Sequence, residues 1–421
     1  MGIVAQLKGE LKDEKKKRLL ENYFSLSLLQ GVNYLLPLVT LPYLVRVLGA
    51  EKYGLVMFAN AFIQYFVILT DFGFNISATR EIAVHREDQQ KISEIFCSVI
   101  ILKTCFLVVA LGLMSLFVFS FAKFRGDWLL YVLTFGIVLG QTYFPVWFFQ
   151  GMEKMKFITL LNITARLIFT ISIFLLVRSR DDYVLVPLLN SAGLVVAAVL
   201  GLWIAVRHFH VSAMIPRLSV LIGYVRQSFQ FFLSRVSVSI YTVSNTFVLG
   251  LFTSTQTVAY YAAAAQLYKA VQNLFLPLST ALYPFISKER NVRLYRKIFG
   301  VALGAVVCIS VLAFSFSGPI TGFIFGSGFE ETSGLLKLFS LLIIIVVASI
   351  LIGYPFLAAL GHARYANFSV VVGSIVHLLL LAAIIPVINA YLVVVVTIVT
   401  ESIVLAVRVY GVRKQRLWNL A

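Results

Sequence analysis

Long apolar runs dominate this chain, each of about 20 residues and each closed by a short cluster of charged or turn-forming residues. A helix needs about 20 apolar residues to cross the hydrocarbon of a bilayer, and these runs are continuous. They lack the two-residue alternation of a transmembrane barrel. In the first half the runs centre on Tyr23–Val45, Leu55–Ile76, Ile95–Phe121, Trp128–Phe149, Phe157–Val177 and Val184–Val206. In the second they centre on Gln227–Gly250, Val258–Tyr283, Ile298–Phe316, Leu335–Leu357, Phe368–Pro386 and Tyr391–Val409. The pattern predicts an all-α polytopic membrane protein of about twelve transmembrane helices.

The segment 207–226, which contains Pro216, is the longest connection between spans and divides the chain into two lobes. The expected organisation is a cytoplasmic basic segment at 1–22, an N-terminal lobe of about six helices at 23–206, a cytoplasmic connection at 207–226, a C-terminal lobe of about six helices at 227–410 and a cytoplasmic tail at 411–421. A faint echo joins the second span of each lobe. Phe58, Ala59, Ala61 and Tyr65 in FANAFIQY match Tyr261, Ala262, Ala264 and Tyr268 in YAAAAQLY. Two lobes of one orientation form a parallel repeat, an arrangement that places a transporter's substrate between them.

Charge sets the orientation. With a cytoplasmic N-terminus, the outer loops hold only Arg46, Lys52, Lys123, Arg125, Arg178 and Arg180. Most of the remaining cations, from Lys15, Lys16, Lys17 and Arg18 through Lys288–Lys297 to Arg408, Arg413, Lys414 and Arg416, fall on inner segments. This is the positive-inside asymmetry, and it puts both termini in the cytoplasm. The formal net charge of +17 is therefore spread over short inner loops, with no compact soluble domain to carry a nucleic-acid site, so nucleic acid is not an expected partner. A composition of 60% hydrophobic and 13% charged residues fits a chain whose main surroundings are the lipid bilayer. Residues before Tyr23 carry charge throughout and show no cleavage-site pattern, so they are not read as a signal peptide.

Against that background the polar residues inside the runs stand out. Arg166, Arg235 and Lys269 fall near the middle of their spans, where each costs about 2.5 to 3.5 kcal/mol on insertion scales. Such cations are expected to face water or an anion rather than lipid. Helical spacing lines up neighbours with them: Asn60, Gln64, Asp71 and Asn75 in the second span, and Asn162 and Thr170 beside Arg166 in the fifth. Arg235 shares the seventh span with Tyr241, Thr242 and Asn245, and Lys269 shares the eighth with Gln266, Gln272 and Asn273. The uncharged members are equally suited to bonding between packed helices and to lining a cavity. Lys103 and Lys337 lie near span ends and are expected to extend to the headgroups. Asp71 is either a partner for a basic residue such as Arg80 or a member of the cavity. Glu401 and His377, near the middle of the last two spans, suit an interhelical pair, and with Asp71 they are the candidates for ion coupling.

Cys97, Cys105 and Cys308 all fall within spans at no metal spacing. No Gly-rich phosphate loop, metal cluster or cofactor motif is read from the sequence, so neither a catalytic site nor a cofactor is predicted.

The stretch NYLLPLVTLPYLVRVLGAEKYGLVMFANA, followed by TDFGFNISATREIA, resembles the N-terminal signature of bacterial polysaccharide flippases of the O-antigen type. These belong to the multidrug/oligosaccharidyl-lipid/polysaccharide exporter superfamily. SRVSVSIYTVSNTFVLGLF and VAYYAAAAQLYKAVQNLFLPLSTALYP are similar to that family's seventh and eighth spans. The resemblance implies movement of an undecaprenyl-diphosphate-linked oligosaccharide from the inner to the outer leaflet of the bacterial cytoplasmic membrane. It further implies alternating access through a cationic cavity between two lobes, with Arg166, Arg235 and Lys269 taking the diphosphate, and glycan-assembly partners such as a polymerase or a chain-length regulator. Pro37 with Pro42, and Pro277 with Pro284, would bend helices around such a cavity. A multidrug antiporter of the same superfamily is the first alternative, but the first span contains no acid to bind a cation. A glycan polymerase or ligase is the second. It would need catalytic polar residues in an outer loop, and the longest such loop, Ser317–Ser333, offers only Glu330 and Glu331.

Overall fold

The computed structural model describes residues 14–419, with the side chains of 14–27, 34, 234, 235, 237–242 and 419 left undescribed. All the regular structure among the described residues is helical. The long helices run in order α1 (Glu14–Asp71), α2 (Phe74–Val84), α3 (Gln89–Ser120), α4 (Trp128–Tyr143), α5 (Val146–Gly151), α6 (Met155–Leu176) and α7 (Leu185–Arg207). They continue as α8 (Leu218–Phe252), α9 (Thr255–Glu289), α10 (Val292–Ser315), α11 (Ser317–Phe325), α12 (Glu330–Ile352), α13 (Ala363–Ile384) and α14 (Ala390–Lys414).

The helix boundaries follow local chemistry. Asp88, Ser254, Asn291 and Asn389 stand at the N-caps of α3, α9, α10 and α14, and each side chain accepts a hydrogen bond from a first-turn backbone N–H. Within α1 the helical path breaks at Gly49, with φ 69° and ψ 173°, a combination open only to a residue without Cβ. The two parts of α1 correspond to the first two expected spans. The expected fourth span is interrupted at Pro145, whose ring cannot donate into the helix, so α4 and α5 are separate. The tenth passes from α12 into a π-helical turn, Gly353–Ala358, that contains Pro355.

The chain divides into two compact units. The first comprises Met1–Thr40 and Phe62–Val236; the second comprises Leu41–Ala61 and Ser237–Ala421. In the first unit α7 packs against both α4 and α6. Gly136 and Gly140, one turn apart on α4, let α7 come so close that a Cβ on either would lie 2.6 Å from Ser191 or Leu194. This is the small-residue packing that lets helices associate in lipid, where burial of apolar surface gives little drive. A core of Phe74, Ile95, Phe96, Trp147, Phe148 and Phe149 closes one part of this unit. In the second unit α12 packs against α9, α10 and α14, and α13 against α14. There the Tyr295 and Phe356 rings stack at 4.4 Å, and the Tyr295 hydroxyl donates to the Leu351 carbonyl at 2.9 Å.

The outward surface is apolar. Val108, Leu160 and Val301 are 65%, 63% and 69% exposed, and many other Leu, Phe and Val side chains on α3, α6, α7, α10 and α13 project outward. Apolar exposure on this scale, from helices of membrane-crossing length, marks lipid as the surrounding solvent. Nine helical stretches among the described residues are long and apolar enough to cross a membrane.

Candidate functional site

Charged side chains within the spans divide into groups with partners among the described residues and groups without. In the first unit Asp71, at the end of α1, lies 3.8 Å from the Lys103 ammonium on α3, with both side chains almost wholly enclosed. Lys103 is only 1% exposed, which corrects the expectation that it extends to the headgroups. Its four-carbon stem turns inward because Asp71 supplies a counter-charge there, and two buried charges of opposite sign offset each other's desolvation. Arg80, the partner weighed for Asp71 from sequence, is exposed. Nearer the loops, Arg86 pairs with Glu153 at 2.8 Å and donates from Nε to the Gly151 carbonyl at 3.0 Å.

Arg408 on α14 is likewise built into the second unit. Its Nε donates to Ser369 Oγ on α13 at 2.9 Å, and its Nη1 donates to the carbonyl and hydroxyl oxygens of Ser349 on α12 at 2.6 and 3.0 Å. Gly353 leaves room for the guanidinium: a Cβ there would sit 2.8 Å from Nη1. The charge pattern of the sequence places Arg408 with the cations of the inner segments. It is a buried tie across three helices.

Arg166 and Lys269 behave differently. Arg166 lies at the middle of α6 and is half-buried; Lys269 lies near the middle of α9 with its side chain exposed. Neither cation has a hydrogen bond or ion pair with a described residue. One turn before Arg166, Asn162 spends its amide on the Ile158 carbonyl at 2.9 Å. Asn60, Gln64, Gln272 and Asn273 are half-buried. Arg235, Tyr241 and Thr242 stand on α8, but their side chains lie outside the described residues.

A buried polar cluster occupies the second unit. His377 on α13, fully enclosed, meets Asn245 Oδ1 on α8 through Nε2 at 2.8 Å and Thr400 Oγ1 on α14 through Nδ1 at 3.1 Å. The Asn245 amide nitrogen donates to the Tyr261 hydroxyl on α9 and to Thr397 Oγ1 on α14, each at 3.0 Å. Glu401, adjacent to Thr400, is also buried. Sequence reasoning singled out Asn245, His377 and Glu401, but not Tyr261, Thr397 or Thr400 as their partners. Helical spacing signals Thr397, Thr400 and Glu401 as one face of α14, but gives no register between α14 and α8.

Together these features define a multi-pass helical membrane protein with polar and charged groups inside its spans. Within that class, the chain belongs to the family described as "Polysaccharide biosynthesis protein", which matches residues 19–290. It is 30% identical over 308 residues, 72% of each chain, to a protein of Escherichia coli (strain K12) named "Putative O-antigen transporter". A Shigella dysenteriae protein of the same name is 28% identical over 367 residues, covering 85% of this chain and 91% of that one. The fold is similar to that of the lipid II flippase MurJ in an inward closed conformation, with a TM-score of 0.70 at 15% identity over 94% of this chain and 87% of that one. It is also similar to an inward-facing multidrug resistance MATE family transporter of the MOP superfamily, with a TM-score of 0.69 at 13% identity over 92% and 96% of the two chains. The polytopic all-helical fold expected from sequence is thus the fold seen in these two solved structures.

Proposed function

We propose that this protein is a flippase that carries an undecaprenyl-diphosphate-linked oligosaccharide, the repeat unit of an O-antigen or related surface glycan, from the inner to the outer leaflet of a bacterial cytoplasmic membrane. The family and the names of the relatives support a transporter of lipid-linked glycan. The observation that carries the finer reading is the contrast among the intramembrane cations. Lys103 faces Asp71 and Arg408 is hydrogen-bonded to Ser349 and Ser369, whereas Arg166 and Lys269 have no partner among the described residues. A cation kept at mid-span without an internal partner carries a standing cost, and a diphosphate is an anion able to offset it.

In this reading Arg166, Lys269 and the undescribed Arg235 side chain receive the diphosphate as the protein alternates between inward-open and outward-open states. Arg grips phosphate oxygens with its planar fork, and Lys adds a point charge. Asn60, Gln64, Asn162, Gln272 and Asn273 offer donors and acceptors to sugar hydroxyls. Both termini lie in the cytoplasm, consistent with the charge asymmetry of the loops. The polymerase and the chain-length regulator of glycan assembly are the partners that fit this role.

The test is complementation. A strain that makes the cognate glycan and lacks this gene loses surface glycan, and the chain expressed from a plasmid restores it. Unchanged surface glycan in the deletion strain, with no second flippase to account for it, contradicts the reading.

A further inference from the structure

The hydrogen bonds around His377 decide which of its two nitrogens can take up a proton. Thr397 Oγ1 donates to the Val393 carbonyl at 2.8 Å and so meets Asn245 as an acceptor. The Asn245 amide nitrogen faces Thr397 in this arrangement and also donates to the Tyr261 hydroxyl. That leaves Oδ1, an acceptor with no hydrogen, facing His377 Nε2 at 2.8 Å. Nε2 consequently carries hydrogen in every state, and Nδ1 is the titrating atom.

The other side of the ring meets a group that can work either way. Thr400 Oγ1 lies 3.1 Å from Nδ1 and 2.8 Å from the Val396 carbonyl. With neutral imidazole, the Thr400 hydroxyl donates to Nδ1. When Nδ1 gains a proton, its N–H donates to Thr400 Oγ1, and the hydroxyl hydrogen swings to the Val396 carbonyl. One proton enters, one hydroxyl rotates, and every other bond keeps its direction.

We propose that His377 is an intramembrane proton-binding site that loads at Nδ1, with Asn245 fixing the tautomer and Thr400 relaying the change to α14. The charged and titratable groups around it come from its neighbouring elements. α14 brings Glu401, adjacent to Thr400 and buried, and Arg408 two turns further on. α9 brings Tyr261, bonded to Asn245, and Tyr268, which lies within electrostatic reach of Glu401. The π-helical turn brings Tyr354, bonded to Asn367 near the start of α13. α8 contributes Asn245 and no described titratable side chain at this level. Glu401 is the buried acidic residue of α14 next in sequence to the hydroxyl that meets Nδ1. As the coupling ion of transport, the proton would bias α8, the helix that carries Arg235; this last step rests on the flippase reading, whereas the proton site does not.

The experiment uses full-length protein with 15N-labelled histidine in lipid nanodiscs, observed by NMR between about pH 4 and pH 9. The chain has five histidines, and the signal lost in His377→Gln identifies this one. Should that variant fail to fold, the signal displaced in Thr400→Val makes the assignment. The expected result is a neutral form protonated at Nε2 and a reversible titration at Nδ1. Thr400→Val removes the acceptor for the charged form and should weaken proton affinity about tenfold with the tautomer unchanged. A neutral form protonated at Nδ1, or no titration down to about pH 4, overturns the proposal.

The coupling step is read separately, in vesicles holding a fluorescent undecaprenyl-diphosphate-linked oligosaccharide. An imposed pH gradient should speed translocation by wild type and not by His377→Gln. Equal acceleration of both overturns the coupling role, and translocation by neither chain under any gradient counts against the flippase reading instead.

Discussion

The Lys103 ammonium lies 3.8 Å from a carboxylate oxygen of Asp71, inside the first unit and away from the solvent that either charge would otherwise require. Removing one partner strands the other. Lys103→Met or Asp71→Asn alone should destabilise the detergent-solubilised protein by about 3–5 kcal/mol, seen as a lower thermal unfolding midpoint. The double replacement should recover most of that loss, since a neutral pair needs no counter-charge. Equal midpoints for wild type and Lys103→Met would show that the pair contributes nothing.

A second prediction sets helix propensity against steric fit. Gly54 and Gly112 are both helical glycines, and replacing Gly by Ala within a helix usually gains up to about 1 kcal/mol. At Gly112 nothing lies within 4 Å of the new Cβ, so Gly112→Ala should be neutral or mildly stabilising. At Gly54 the Cβ would fall 1.7 Å from the Thr255 carbonyl oxygen, which is backbone and cannot turn aside. Gly54→Ala should therefore cost about 1–3 kcal/mol in spite of its better propensity. Thermal unfolding of the two variants side by side checks the opposite signs.

Arg408 illustrates what a sequence can and cannot convey. The apolar runs announced the helices because a membrane span must be long, and the polar stripes announced which faces differ from lipid. The partners were not legible. Ser349, Ser369 and Arg408 come from three helices, and only the packing of those helices brings their side chains to one point. A sequence window places Arg408 at an inner span end, where a free cation satisfies the charge rule equally well. Lys103 likewise departs from its expected place at the headgroups because Asp71 lies on a different helix, out of reach of a sequence window. The helix break at Pro145, inside the expected fourth span, also escapes a hydropathy reading, which averages over single residues.

Because Arg408 spends separate nitrogens on separate acceptors, a lysine cannot replace it. Arg408→Lys and Arg408→Met should both lower stability, by about 2–4 kcal/mol, as the Nε and Nη1 bonds cannot both be remade by a single ammonium. Recovery of wild-type stability by lysine would reduce the role of this residue to that of a charge.

For Arg166 and Lys269 the expectation is reversed, with activity lost and stability kept. Neither holds a described partner, so Arg166→Ala and Lys269→Ala should leave the unfolding midpoint unchanged or raise it, while surface glycan falls at least tenfold. Arg166→Lys should retain part of the activity, because charge survives while the bidentate fork does not. The measurement is surface glycan per cell at matched membrane levels of each variant. Normal glycan with Arg166→Ala would remove this residue from the substrate path.

The most direct test follows the lipid-linked repeat unit itself. In cells depleted of the protein, sidedness is read by access of the glycan to a membrane-impermeant lectin or glycosidase in spheroplasts and in inverted vesicles. The account predicts that lipid-linked single units accumulate, reachable only from the cytoplasmic face, and that restoring the protein moves them to the outer face. Single units already exposed on the outer face in depleted cells, awaiting only polymerisation, would contradict it.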